Sequence, residues 1–174
     1  MQDRSRVTEN PPATKKTWFV IFFALTASVA IYGLMAFMIA QNRSAPAPGN
    51  SLATLRPIFY IAAGLALIAS VGWMHFRTHG KIGDRGDVIS LPGSQVALMP
   101  ASQFQTETIV ALALAEACSI FGLVLFFLGA PLVEFARFAA GTILVDLLYF
   151  LPKGIRYWAA WEMQQKSSTG SFMR

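Results

Sequence analysis

Charged residues are scarce in this sequence. Asp, Glu, Lys and Arg make up 13% of its 174 residues, whereas soluble domains carry about 25%. Hydrophobic residues make up 55%, and the mean hydropathy is +0.50. This composition argues against an ordinary soluble domain, and the length leaves no room for a second folded module beside a membrane core.

Residues that form disulfides or bind metals are also few. The single cysteine, Cys118, excludes an internal disulfide, and there is no Cys-x-x-Cys motif. His75 and His79 are spaced so that a helix places both imidazoles on one face, but two ligands do not make a site. A phosphate-binding glycine loop and a Gly-x-Ser-x-Gly motif are absent as well. We therefore expect no metal, no other cofactor and no enzymatic activity.

Four apolar runs are each about 20 residues long, the length that a helix needs to cross a hydrocarbon core of roughly 30 Å. Polar and apolar residues do not alternate within them, so helices are favoured over the strands of a barrel. The sequence therefore predicts an all-α, polytopic membrane protein with a four-helix transmembrane bundle. The predicted spans are 18–40, 57–74, 108–128 and 132–151.

The segments outside these runs are predicted to be loops and tails. Residues 1–16 are polar and without periodicity, as in a disordered cytoplasmic tail, and the membrane domain then covers 17–151. Glycine and proline interrupt the cytoplasmic connection 75–107, which is longer than most loops. Pro152 is expected to bend or restart the helix, so that 152–174 form an interfacial helix and tail or simply anchor the fourth span.

The positive charges predict the orientation in the membrane. Of the 14 Lys and Arg residues, four precede the first span, three lie between the second and third, and four follow the fourth. The positive-inside rule then places both termini in the cytoplasm. The pI of about 9.7 reflects this orientation, and no clustered basic face indicates a nucleic-acid partner. We expect a multi-pass protein of the cytoplasmic (inner) membrane, whose partners are the lipid bilayer and other membrane subunits or further copies of the chain.

Four ionisable residues lie within the predicted spans, where a charge costs about 2.5–3.5 kcal/mol. They are Glu116, Glu134, Arg137 and Asp146. Glu116 lies about 3 Å from the bilayer centre at roughly 1.5 Å per residue, so it is expected to be protonated most of the time. Glu134 and Arg137 are an i, i+3 pair near the outer end and are expected to neutralise each other as a structural ion pair.

Glu116 lies on a helix surface of small residues, which predicts close packing. Ala111, Ala115 and Ser119 form a small-xxx-small row, and the second span carries a similar row. Ser119 is expected to hydrogen-bond the Glu116 carboxyl. Asp146 lies within about 4 Å of Glu116 in depth, so the two carboxyls share a proton if they face each other. Glu116, Ser119 and Asp146 are therefore the candidate proton- or ion-binding residues.

The third span reads ALALAEACSIFGLVL over 111–125 and resembles the proton-carrying helix of the c subunit of rotary ATP synthases. That family typically shows an Ala-Glu-Ala core followed by Ile-Tyr-Gly-Leu-Val. Here Glu116 occupies the centre of Ala-Glu-Ala, and Phe121 replaces the tyrosine. The second span, the cytoplasmic loop and the third span then correspond to the family's hairpin. The resemblance implies that Glu116 reversibly carries a proton or ion.

The chain also departs from the c-subunit pattern. Its second span has only Gly64 and Gly72 where the family's first helix repeats Gly-x-Gly. A long connection from His75 to Gln105 replaces the family's short Arg-Gln-Pro loop, and two further spans flank the hairpin. The resemblance therefore points to a c-like hairpin built into a larger protein, not to a standard ring subunit.

Two functions remain open from the sequence. In the first, the chain is a membrane subunit that binds a proton or ion at Glu116, and Glu116→Gln abolishes proton-linked activity. In the second, the chain is a structural or assembly subunit of a membrane complex. Glu116 is then a protonated hydrogen-bond donor between helices, and Gln is tolerated in its place.

Overall fold

Helices make up almost all of the described chain. The computed structural model describes residues 14–42, 50–79 and 98–170, and every regular element within these ranges is helical. The predicted all-α class is thereby confirmed for this part of the protein. The predicted tail up to residue 13, and residues 80–97 of the predicted loop, lie outside the described residues. The elements are α1 (Lys15–Gln41), α2 (Asn50–Thr78), α3 (Ala101–Phe127), α4 (Leu132–Val145), a π-helical turn (Asp146–Phe150) and α5 (Leu151–Gly170).

Within the described residues, four helical segments are long and apolar enough to cross a membrane. The first three have 27 residues each, or about 40 Å at 1.5 Å per residue, which exceeds a hydrocarbon core of roughly 30 Å. They match the four predicted spans except at their ends, and they indicate a multi-pass membrane protein. The four segments are Lys15–Gln41, Leu52–Thr78, Ala101–Phe127 and Leu132–Lys166.

The outward face of these helices is apolar. Val20, Ile68 and Leu148 are 68%, 70% and 73% exposed, and many other large hydrophobic side chains are exposed beside them. Apolar surface of this extent is unfavourable in water, whereas lipid acyl chains are as apolar as the side chains themselves. The surface is therefore suited to contact with a bilayer.

Two helices extend further than the hydropathy pattern predicts. α2 continues to Thr78 and α3 begins at Ala101, so the connection predicted for 75–107 is shorter at both ends. The added turns contain polar residues, which is why an apolar run does not mark them. They fold because they have buried contacts of their own: Phe104 and Thr108 are buried, and the Thr108 hydroxyl donates to the Phe104 carbonyl at 2.8 Å.

α3 lies at the centre of the bundle. It packs against α2, α4 and α1, and α4 also contacts α1. The Ser70 hydroxyl of α2 donates to the Ala111 carbonyl of α3 at 2.7 Å, so these helices approach closely through small residues. α1 and α2 therefore lie on opposite flanks of the α3–α4 pair.

Side-chain contacts bring the beginning of α1, the end of α2 and α5 together at one end of the bundle. Lys15 of α1 forms an ion pair with Glu162 of α5 at 2.9 Å. Lys153 of α5 donates to the Met74 carbonyl of α2 at 3.2 Å. Successive spans therefore run in opposite directions, as an up-and-down bundle requires.

An aromatic cluster fills the same end. The rings of Phe104 and Tyr157 stack with 3.7 Å between their centroids, and the Tyr157 hydroxyl donates to the Met99 carbonyl at 2.6 Å. Trp18 of α1 packs on Gly154 of α5, where a Cβ atom would overlap the indole ring. Glycine at this position therefore allows α1 and α5 to come into contact.

The fourth span passes into α5 through the π-helical turn. The Leu151 N–H donates to the Asp146 carbonyl, five residues earlier, which widens the helix locally. Pro152 follows at once. It has no N–H, and in a regular α-helix its ring clashes with the carbonyl four residues earlier. The wide turn accommodates the proline, and the helical chain continues beyond it as α5.

The turn from α3 to α4 depends on Gly129. Its φ of 106° lies in the region that favours glycine. The Gly129 and Ala130 N–H groups donate to the carbonyls of Phe126 and Leu125, each at 3.0 Å, and so cap the end of α3. This tight turn makes α3 and α4 antiparallel neighbours.

Replacing Gly122 by Ala is expected to destabilise the bundle. A Cβ atom there would lie 2.7 Å from the Phe138 Cβ, so α3 and α4 must separate, at a cost of about 1–3 kcal/mol. Gly64→Ala is the matched control, since its Cβ meets nothing within 4 Å and Ala favours a helix. Thermal unfolding in detergent should give a lower Tm for Gly122→Ala alone. Equal Tm values for both variants would contradict this close approach of α3 and α4.

Candidate functional site

Glu116 lies on α3 and is turned towards α1. Its Oε1 accepts hydrogen bonds from the Tyr32 hydroxyl at 2.9 Å and from the Ser28 hydroxyl. Ser28 and Tyr32 are four residues apart, so both lie on one face of α1. Glu116 is half-buried, and the two hydroxyls replace part of the water that an exposed carboxylate binds.

Asp146 lies at the start of the π-helical turn and is buried. Its side chain is 3% exposed, and its Oδ2 accepts a hydrogen bond from the Thr26 hydroxyl of α1 at 3.3 Å. Its Oδ1 is also buried and has no hydrogen-bond partner among the described residues. A buried carboxylate oxygen without a donor is costly, and protonation of the carboxyl relieves this cost.

Both carboxyls bond hydroxyls at nearly the same level of α1. Thr26 and Ser28, which bond Asp146 and Glu116 respectively, are two residues apart, or about 3 Å along the helix. Two of the three candidate residues therefore face α1, and the structure adds the hydroxyls of this helix to them. We call Glu116, Asp146, Thr26, Ser28 and Tyr32 the carboxyl site.

Ser119 has a different role from the one that the sequence predicts. Its hydroxyl donates to the Thr142 hydroxyl of α4 at 2.9 Å, and not to Glu116. The Thr142 hydroxyl in turn donates to the Ala115 carbonyl of α3 at 3.1 Å. Ser119 is fully buried, and its bond to Thr142 joins α3 to α4.

The donors of the carboxyl site on α1 were not predicted. Apart from Thr17, the hydroxyl-bearing residues of α1 are the three that reach the carboxyls. Hydroxyl-bearing residues are rare in this apolar run, and this rarity is the sequence signal that could have indicated them. A polar side chain within lipid is stabilised by a hydrogen bond to a neighbouring helix. Hydropathy does not show which neighbouring helix they face.

Glu134 and Arg137 form part of a larger cluster at the opposite end of the bundle from Lys15. Arg137 Nη1 and Arg56 Nε each lie 3.7 Å from Glu134 Oε1, and the Tyr60 hydroxyl donates to Glu134 Oε2. Glu134 is 6% exposed, whereas both arginines are largely exposed. The partners Arg56 and Tyr60 come from α2, so this cluster ties α2 to α4.

Glu107 belongs to a second cluster that the sequence did not indicate, since it falls in the predicted loop. The Trp73 indole N–H donates to Glu107 Oε2 at 2.7 Å, and Arg77 Nε lies 3.7 Å from Oε1. The Arg77 guanidinium also lies 4.8 Å from the centre of the Trp73 ring. Glu107 is 8% exposed, and this cluster joins the ends of α2 and α3.

The described residues contain no group of three or more His, Cys, Asp or Glu side chains placed to hold a metal. The rings of His75 and His79 lie 5.0 Å apart on one face of α2, as their spacing predicts. The carboxyl site supplies two carboxyls and three hydroxyls. These groups are suited to holding a proton or a small cation, and the site contains no thiol, amine or imidazole.

Comparison of the chain with models of known protein families, with curated proteins and with solved structures finds no match. Function is therefore inferred from the side chains described above.

The bond between Tyr32 and Glu116 is expected to contribute about 0.6–2 kcal/mol to stability, as polar contacts between membrane helices do. Tyr32→Phe should lower the free energy of unfolding in the wild-type background but not in a Glu116→Ala background. A double-mutant cycle in detergent micelles measures this coupling. Additive effects of the two substitutions would show that the bond contributes nothing.

Proposed function

We propose that this chain is a membrane subunit that reversibly binds a proton at the carboxyl site. One observation carries the proposal: the carboxyls of Glu116 and Asp146, which come from different helices, both accept hydrogen bonds from hydroxyls of α1 at nearly the same level. The Asp146 Oδ1 atom, which has no donor among the described residues, is the position that a proton would occupy.

The proton requirement follows from electrostatics. Two ionised carboxylates in a low-dielectric bundle repel each other, and no described Lys, Arg or His lies against them to compensate. A single proton shared between the carboxyls removes this repulsion. The hydroxyls of α1 then stabilise the carboxylate that remains ionised, because they donate to it.

The setting of the site supports a role in a larger complex. Glu116 is half-buried while Asp146 is enclosed, so a proton reaches the pair through Glu116. A neighbouring subunit would supply the water path or cation that releases it. The resemblance to the c subunit assigns the same carrier role to Glu116, although here α1 contributes hydroxyls that a two-helix hairpin lacks.

The proposal includes an orientation. Both termini are on the cytoplasmic side of the inner membrane, so that the beginning of α1 and α5 lie at the cytoplasmic surface. Lys15 and Lys153 lie at this end, together with Trp18, Trp73 and Tyr157. Basic residues and amphipathic aromatic rings at one end are typical of the cytoplasmic interface.

Counting protons tests the proposal directly. Between mildly acidic and alkaline pH, the purified wild-type chain should release about one proton more than the Glu116→Gln/Asp146→Asn double variant. Glu134→Gln is the control: Glu134 lies beside two arginines and outside the carboxyl site, so its replacement should not reproduce the loss seen in the double variant. Equal proton release by the wild type and the double variant would refute the proposal.

A structural subunit is the second candidate, and the same hydrogen bonds favour it. Ser28 and Tyr32 tie α1 to α3 through Glu116, which is what a helix-fixing contact does. Gln accepts these bonds equally well, so this function predicts that Glu116→Gln keeps both stability and assembly. Under the proton-binding function, Glu116→Gln keeps stability but loses proton-linked activity.

A further inference from the structure

A groove of about 470 Å³ runs along the outward face of α2 near its end. It lies on the flank of the bundle away from α1 and the carboxyl site. The residues that line it are Ile68, Ala69, Gly72, Trp73, Phe76 and Arg77.

Two neighbouring rows of the helix form the groove, with the small residues Ala69 and Gly72 between larger ones. A Cβ atom on Gly72 would meet nothing within 4 Å, so space lies open above it. Ile68 and Phe76 are 70% and 82% exposed and border this space on its lipid-facing side. From Ile68 to Arg77 the groove follows α2 for about 13 Å, a length suited to part of an acyl chain.

The groove ends at a cation. Arg77 lies in the last turn of α2, and its guanidinium is placed over the Trp73 ring at 4.8 Å. Its contact with Glu107 is made through Nε at 3.7 Å, so its Nη amino groups can donate to an anion at the mouth of the groove. Trp73 itself is fixed by its bond to Glu107 at 2.7 Å. Trp73 and Arg77 therefore form a preorganised, charged end of the apolar groove.

We propose that this groove binds one molecule of an anionic phospholipid, with an acyl chain along Gly72 and the phosphate at Arg77. The charge pattern selects this occupant, because the groove is apolar along its length and has a guanidinium at the end where headgroups lie. A guanidinium matches a phosphate in geometry and charge. A bare anion leaves the apolar length of the groove unfilled, and an apolar partner helix offers no anion to the Nη groups of Arg77.

Lipid retention by the purified full-length chain tests this site. Native mass spectrometry would compare phosphatidylglycerol, phosphatidylcholine and water-soluble glycerol phosphate as probes. Gly72→Leu fills the groove, and Gly64→Leu is its matched control, since both glycines have open space above them. Arg77→Gln removes the charge, and Arg77→Lys keeps it.

Phosphatidylglycerol should be retained in preference to phosphatidylcholine. Gly72→Leu should lower its occupancy because the leucine side chain fills the groove, and Arg77→Gln should lower it by about tenfold, as expected for loss of a charge-assisted contact. Gly64→Leu should have no effect, and Arg77→Lys a smaller one. Equal retention of both lipids, equal loss in the two glycine variants, or binding of glycerol phosphate alone would overturn the proposal. A Gly72→Leu variant that loses self-association would assign the groove to a second copy of the chain instead, and would also overturn it.

Discussion

Each carboxylate inside the bundle needs a donor from another helix, since the side chains around it are apolar. The described acidic residues all lie on α3, α4, the π-helical turn or α5, and each has its partner on α1 or α2. Glu107 and Glu134 bind donors of α2, while Glu116, Asp146 and Glu162 bind donors of α1. These bonds attach the two flanking helices to the rest of the bundle, and they hold two carboxyls against α1 at nearly the same level.

The acidic residues fall into two groups that differ in whether their negative charge is compensated. This difference separates the residues with a structural role from those of the carboxyl site. Glu107 and Glu134 have arginine partners as well as neutral donors, so their negative charge is compensated. Among the described residues, Glu116 and Asp146 have hydroxyl donors and no ion-pair partner. Protonation of a carboxyl removes this uncompensated charge, and the proton-binding function is therefore proposed for this site and not for the clusters at the ends of the bundle.

Hydropathy predicted the four spans because a helix in lipid requires about 20 apolar residues, and the depth of Glu116 and Asp146 followed from helix length. Side-chain partners could not be predicted in the same way. Ser119 bonds Thr142 because of how α3 rotates against α4, and such rotation depends on packing. The early start of α3 and the π-helical turn before Pro152 likewise depend on tertiary contacts.

Carbodiimide labelling, followed residue by residue with mass spectrometry, tests the central claim most directly. The reagent attacks protonated carboxyls that are buried but reachable. In detergent and in lipid, Glu116 should react with the reagent, while Glu134, whose Oε1 lies 3.7 Å from nitrogens of two arginines, should stay unreactive. If Glu116 does not react at any pH while other acidic residues do, it is sealed inside the helix packing and does not carry a proton.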